Sequence, residues 1–94
     1  MSKNTVLIVD DEKDILELVG YNLSRNGYAV STVMTGEDAI SRARSEVPSL
    51  IVLDLMLPGI DGLDVCRILK NDPKTSRVPV IMLTAKGDEA DVVA

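Results

Sequence analysis

A doubly wound parallel α/β sheet is the fold class this sequence predicts, on three observations. Val6-Leu7-Ile8-Val9, Leu50-Ile51-Val52-Leu53 and Val80-Ile81-Met82-Leu83 are apolar runs too short for helices and rich in β-branched residues. The stretches between them repeat apolar residues at helical spacing, so the order reads βαβαβαβα, the mark of a parallel sheet with helices on both faces. The runs also end alike: Val9 leads into Asp10-Asp11, Leu53 into Asp54 and Leu83 into Thr84.

The first strand, Val6 to Val9, has no polar face and so is expected to be buried on both sides. In the first helix Ile15, Leu18, Val19, Asn22 and Leu23 form one stripe; Asp10 or Asp11 can cap its start, and Gly27 suits a left-handed residue after its end. Tyr28 to Met34 mixes small and polar residues, as a strand at a sheet edge would. Thr35-Gly36-Glu37-Asp38 supplies an N-cap with an acid three residues on, and Ala39, Ile40, Ala43 and Val47 continue the second helix until Pro48 forbids extension. Leu50 to Leu53 is the third strand. The stretch from Asp54 to Gly62 is a loop by its Pro, Gly and Asp content. Leu63, Cys66 and Leu69 mark the third helix, ended by Asn71-Asp72-Pro73. Val78 to Leu83 is the fourth strand, and a fourth helix is expected to open at Asp88-Glu89.

The two most apolar strands, the first and third, belong side by side at the centre, with the second outside the first. The expected order is 2-1-3-4, with right-handed crossovers. The winding reverses between strands one and three, and open α/β sheets bind ligands outside the carboxyl ends of strands at such a point.

Composition narrows the chemistry. The chain has 94 residues, 10 basic against 15 acidic, a net charge of -5, no His and one Cys. That is one small domain, near the low end of the usual range of about 100–150 residues. Without His there is no Ser-His-Asp triad and no imidazole base; with Cys66 alone there is no internal disulfide or zinc ribbon. Scattered basic residues and two aromatics, Tyr21 and Tyr28, do not make a nucleic-acid surface. No apolar run approaches membrane-spanning length, and no signal peptide is evident, so a cytoplasmic location is the expectation.

Parallel neighbours would bring Asp10, Asp11 and Asp54 together at one sheet edge. Like charges that close raise one another's pKa and call for a cation. With oxygen donors only, the expected ion is Mg²⁺, which binds through a few carboxylates, waters and phosphate oxygens. Asp54, single, central and followed by the loop, is the candidate nucleophile for an aspartyl phosphate. Asp10 and Asp11 would hold metal, and Thr84 would donate its hydroxyl to the phosphoryl oxygens. Taken singly, Asp10-Asp11 would serve as a helix cap, Asp54 as a turn residue and Cys66 as core.

Val-Asp-Asp-Glu at 9–12, Leu-Asp-Leu-Met-Leu-Pro-Gly-Ile-Asp-Gly at 53–62 and Pro-Val-Ile-Met-Leu-Thr-Ala-Lys at 79–86 together resemble the receiver domain of bacterial two-component response regulators, of the type followed by a winged-helix DNA-binding domain. The resemblance covers essentially the whole chain. It implies a flavodoxin-like sheet. A chemotaxis member of that family is a general example of the 2-1-3-4-5 order, so the expected order and the resemblance are one ground, not two. It implies a domain that is not an enzyme: a sensor histidine kinase passes a phosphoryl group to Asp54, Asp10 and Asp11 are the acidic pair, the Met56 backbone carbonyl joins the Mg²⁺ site, and Thr84 is the switch hydroxyl. DNA would be met only through an output domain beyond this chain.

Family members continue into a fifth strand bearing a Lys-Pro pair and a fifth helix; residues 1–94 are expected to be a single receiver domain without them, and Lys86 does not stand in for that lysine. The fourth strand would then be a bare apolar edge, and self-association through it, or by exchange of elements, is expected. A truncated receiver unable to switch is the alternative reading. A phosphohydrolase of the haloacid dehalogenase type would need an Asp where Met56 stands, and a nucleotide or flavin domain a Gly-rich loop where Asp10 to Lys13 stand.

Overall fold

The computed structural model describes residues 4–83 and 90–93. Strand β1 is Thr5–Val9, followed by helix α1 at Lys13–Arg25, β2 at Ala29–Val33, α2 at Gly36–Glu46, β3 at Leu50–Asp54, α3 at Gly62–Asn71, β4 at Val80–Leu83 and β5 at Ala90–Val93. They form one sheet in the order β2-β1-β3-β4-β5. The first four strands pair in parallel, with Val9 opposite Val33 on one side and Leu53 on the other. The expected 2-1-3-4 order therefore holds.

Alternation along the strands explains the layers. Leu7, Val9, Ile51, Leu53, Val80 and Met82 point to one face and pack with Ala39 and Ala43 of α2 and Val65, Cys66 and Leu69 of α3. Val6 and Ile8 point to the other and pack with Leu16 of α1, joined by Val19 and Leu23. Successive side chains of a strand face opposite ways, so an apolar run such as Val6 to Val9 feeds both layers. Strand β2 sits at the edge with Ala29, Val30 and Ser31 half-buried, Thr32 exposed and Val33 buried, as its mixed composition predicts.

The helices bury a different phase from the expected stripes. In α1 the buried residue is Leu16, whereas Leu18 is 60% exposed and Asn22 is exposed too. Leu16 and Leu18 lie about 200° apart on a helix, so only one can face the sheet. In α3 the buried set is Gly62, Val65, Cys66 and Leu69, with Leu63 exposed. Val47 is not helical: it takes a left-handed φ of 44° at the C-cap of α2, its N–H donating to the Ala43 carbonyl, and Pro48 allows no further turn. The residue before the first turn of α1 is Glu12, which makes no side-chain cap, so neither Asp10 nor Asp11 is the N-cap. Thr35 caps α2 as expected, its hydroxyl accepting from the Asp38 N–H at 3.1 Å, and Gly27 has the expected positive φ, 92°.

The largest correction lies after β4. The fourth helix expected from Asp88-Glu89 is not formed at 90–93; Ala90–Val93 is a strand antiparallel to β4, with Val80 opposite Val93 and Leu83 opposite Ala90. An acidic pair resembles a helix start, but Val92-Val93 favours a strand, and β4 offers a row of unpaired backbone groups. Strand β4 is therefore not the bare edge expected, and pairing through it is closed while β5 is in place. Cutting the chain after Glu89 is expected to reopen that edge, with light scattering reporting a mean mass that climbs toward a dimer with concentration. A shortened chain that stays monomeric at every concentration would show that β5 protects nothing.

Candidate functional site: an acidic cluster at the carboxyl ends of β1 and β3

The pairing of Val9 with Leu53 brings the next residues of both strands to the same edge. There Asp10, Asp11 and Asp54 each offer a carboxylate oxygen, and these oxygens lie within 4.8 Å of one another. Asp10 is 7% exposed, Asp54 half-buried and Asp11 exposed. Two of the three carboxylates, those of Asp10 and Asp54, are steered by backbone N–H groups. Asp10 Oδ1 accepts from the Glu12 N–H at 2.8 Å, and Asp54 Oδ1 accepts from the Met56 N–H at 3.0 Å. Among the described residues no Lys or Arg forms an ion pair with any of the three.

The loop that carries Met56 is anchored at both ends. The Leu55 N–H donates to the Leu83 carbonyl at 3.1 Å, continuing the β3–β4 ladder, and the Gly62 N–H donates to the Leu55 carbonyl at 3.1 Å, closing the loop back on itself. Leu57 is buried in the core while Met56 is 64% exposed, so the chain is pinned on either side of an accessible peptide. Asp61 ends the loop by capping α3, its Oδ1 accepting from the Asp64 N–H at 3.0 Å. Sequence reasoning placed Asp61 and Gly62 in a loop and missed this cap; an acceptor followed three residues later by Asp64 was the available signal.

Burial pushes the Asp10 carboxyl above its ordinary range; the Glu12 N–H holds it down in part, and the charges of Asp54, Asp11 and Glu12 push it further up. The folded chain thus binds that proton more tightly than the unfolded one. Ionised Asp10 costs stability at neutral pH, and the cost disappears as pH falls through the raised value toward the ordinary 3.8. In chelator, Asp10→Asn is expected to melt higher than wild type at pH 7, with the gap closing on acidification. A gap that is constant with pH would mean that Asp10 charge is not the cause.

The structure brings Asp10, Asp11 and Asp54 together, and the Met56 N–H reaches Asp54 Oδ1. Thr84 and Lys86 lie outside the described residues. Hard oxygen donors around a buried carboxylate that has no cation partner among the described residues fit Mg²⁺ in kind, and do not suit a soft metal.

A family model described as the response regulator receiver domain matches residues 6–94. The chain belongs to the response regulator receiver family. Receiver domains are regulatory, phosphoryl-accepting domains. The chain is 49% identical over 88 residues to the alkaline phosphatase synthesis transcriptional regulatory protein PhoP of Bacillus subtilis, covering 94% of this chain and 36% of that protein. It is 42% identical over 88 residues to the phosphate regulon transcriptional regulatory protein PhoB of Rhizobium meliloti, covering 94% and 39%. The chain therefore spans little more than a third of these relatives. Among solved structures, the N-terminal domain of a response regulator receiver protein from Methanoculleus marisnigri superposes with a TM-score of 0.83 at 37% identity, over 86% of this chain and 66% of that one. The chemotaxis response regulator CheY4 of Vibrio cholerae gives 0.84 at 27%, over 87% and 68%. Among the described residues of this receiver domain, no helix is long and apolar enough to cross a membrane.

Proposed function

We propose that this receiver domain accepts a phosphoryl group from a sensor histidine kinase onto Asp54, with Mg²⁺ held by Asp10, Asp11, Asp54 and the Met56 carbonyl. The observation that carries the reading is the gathering of three carboxylates, one of them buried, at the switch point of the sheet with no cation partner among the described residues. When bound, Mg²⁺ supplies positive charge that offsets the carboxylates and favours phosphoryl oxygens beside them. The chain's own part is orientation. The Met56 N–H holds Asp54 Oδ1, leaving Oδ2, which accepts no hydrogen bond from the described residues, to attack phosphorus. The new O–P bond forms as the donor's P–N bond breaks, and the leaving imidazole takes up a proton. Burial of Asp10 and the half-buried position of Asp54 lower the local dielectric and strengthen every charge interaction at the site.

Thr84 is proposed as the hydroxyl that reports the phosphoryl group to the rest of the domain. The output is proposed to be transcriptional, because PhoP and PhoB are transcriptional regulatory proteins, with DNA contacted by a part outside residues 1–94 and the protein acting in the cytoplasm. The chain itself is proposed to act as a switch rather than an enzyme.

The test is intact-mass spectrometry after incubation with acetyl phosphate and Mg²⁺. The expected result is one added phosphoryl group on wild type, absent without Mg²⁺ and absent in Asp54→Asn. A phosphoryl group that persists in Asp54→Asn would refute the assignment.

A further inference from the structure

Gly62 is the first residue of α3, yet nothing about its backbone asks for glycine: the positive-φ glycines among the described residues are Gly27 and Gly59. Glycine is a poorer helix former than alanine, so its presence here has to be explained by space. A Cβ at position 62 would lie 2.6 Å from the Asp54 carbonyl oxygen, 2.7 Å from Leu55 Cα and 3.2 Å from the Asp54 carbonyl carbon. All three are backbone atoms, which cannot rotate aside as a side chain can. Gly62 is buried, and its N–H donates to the Leu55 carbonyl at 3.1 Å. The start of α3 is thus seated directly on the peptide that joins Asp54 to Leu55.

We infer that Gly62 is a positioning residue for Asp54: the absence of its side chain lets α3 press the Asp54–Leu55 peptide into the place from which the Met56 N–H orients the carboxylate. This rests on the reading of Asp54 as acceptor and of Met56 as part of the metal site. The next peptide along carries the Met56 N–H that holds Asp54 Oδ1 at 3.0 Å. A methyl group at 62 has to push Leu55 away or lift α3. Either movement lengthens that hydrogen bond and shifts the Met56 carbonyl relative to the three carboxylates.

Two other glycines separate positioning from plain packing. Gly36 is as crowded, but the atoms nearest its would-be Cβ belong to Val65 and Ile60, with Val65 Cγ2 at 2.7 Å and the Ile60 carbonyl oxygen at 2.9 Å, rather than to Asp54 or Leu55. Gly20 has room, its nearest neighbour being Val30 Cγ1 at 3.6 Å. The experiment compares Gly62→Ala, Gly36→Ala, Gly20→Ala and Asp54→Asn with wild type, by calorimetric titration with Mg²⁺, thermal melting and amide NMR of the metal-free chain. Gly62→Ala is expected to weaken Mg²⁺ binding by about ten- to a hundredfold, the usual effect of disturbing groups that orient metal ligands. It is also expected to move the Met56 amide proton upfield as its hydrogen bond lengthens. Gly36→Ala is expected to lower the melting temperature without a comparable loss of affinity or a Met56 shift, and Gly20→Ala to resemble wild type.

The inference is overturned if Gly62→Ala keeps wild-type affinity, or if Gly36→Ala loses as much affinity for the same loss of stability. Should Gly62→Ala melt too low to assay, the titration is repeated in sucrose, which favours the folded state without remaking contacts; a chain that stays unfolded there makes the glycine a folding requirement only and also overturns it. Failure of the underlying reading looks different. Wild type would then bind no Mg²⁺, or Asp54→Asn would still take up phosphoryl, whatever Gly62→Ala does to the Met56 resonance.

Discussion

Replacing Asp10 and Asp11 together by alanine is expected to abolish Mg²⁺ binding while making the metal-free domain melt higher. Three carboxylates with oxygens inside 4.8 Å repel one another, and Asp10 has also lost nearly all its hydration. Two unit charges about 4 Å apart repel by about 1 kcal/mol in water and about 4 kcal/mol near a protein surface. Against that stands the Asp10 hydrogen bond from the Glu12 N–H to a charged acceptor, a net loss of about 1.5–3 kcal/mol when removed, set against three relieved carboxylate pairs. The balance is a gain of about 1–2 kcal/mol without metal, and for a domain of this size each kcal/mol raises the melting temperature by about 4–8 °C. The metal effect is larger, since even groups behind the ligands are worth about ten- to a hundredfold in affinity. Titration calorimetry and thermal melts in chelator check both halves. Unchanged Mg²⁺ affinity would remove the pair from the site, and a lower melting temperature would show that the Glu12 turn outweighs the repulsion.

The second large effect is expected in the core beneath the site. Leu53 is fully buried and sits in β3 between Val9 of β1 and Met82 of β4. Leu53→Ala removes its contacts and leaves a cavity at the centre of the sheet, a loss of about 2–5 kcal/mol. Small domains hold about 5–15 kcal/mol in all, so a large share of the stability goes. Urea denaturation should give a lower midpoint with an unchanged slope. A loss below about 1 kcal/mol would mean that the central strands close up around the missing side chain.

These two predictions pull on opposite requirements of one short segment. Leu53 anchors β3 in the apolar interior, and the very next residue is a carboxylate held beside two others. Without metal the site costs the domain stability, and an ion that binds only the folded form returns it in proportion to its concentration.

Much of this was legible in the sequence, for physical reasons that can be named. Unbroken apolar runs and helical stripes specify strands and helices locally, and a run with no polar face belongs in the middle of a sheet, so Val6 to Val9 and Leu50 to Leu53, together with the receiver resemblance, gave the order 2-1-3-4 and the meeting of Asp10, Asp11 and Asp54. What the tertiary structure decided is everything that depends on which of two similar neighbours wins a place. Leu16 rather than Leu18 faces the sheet because helical periodicity defines a sector but not its phase. Ala90–Val93 pairs with β4 because an open edge rewards a strand more than an acidic pair rewards a helix start. Gly62 lies against Asp54 and Leu55 because only the packed loop brings residues that far apart in sequence to within a methyl group of each other. Local sequence carries periodicity and charge; contact between distant backbones arises only when the chain has closed on itself.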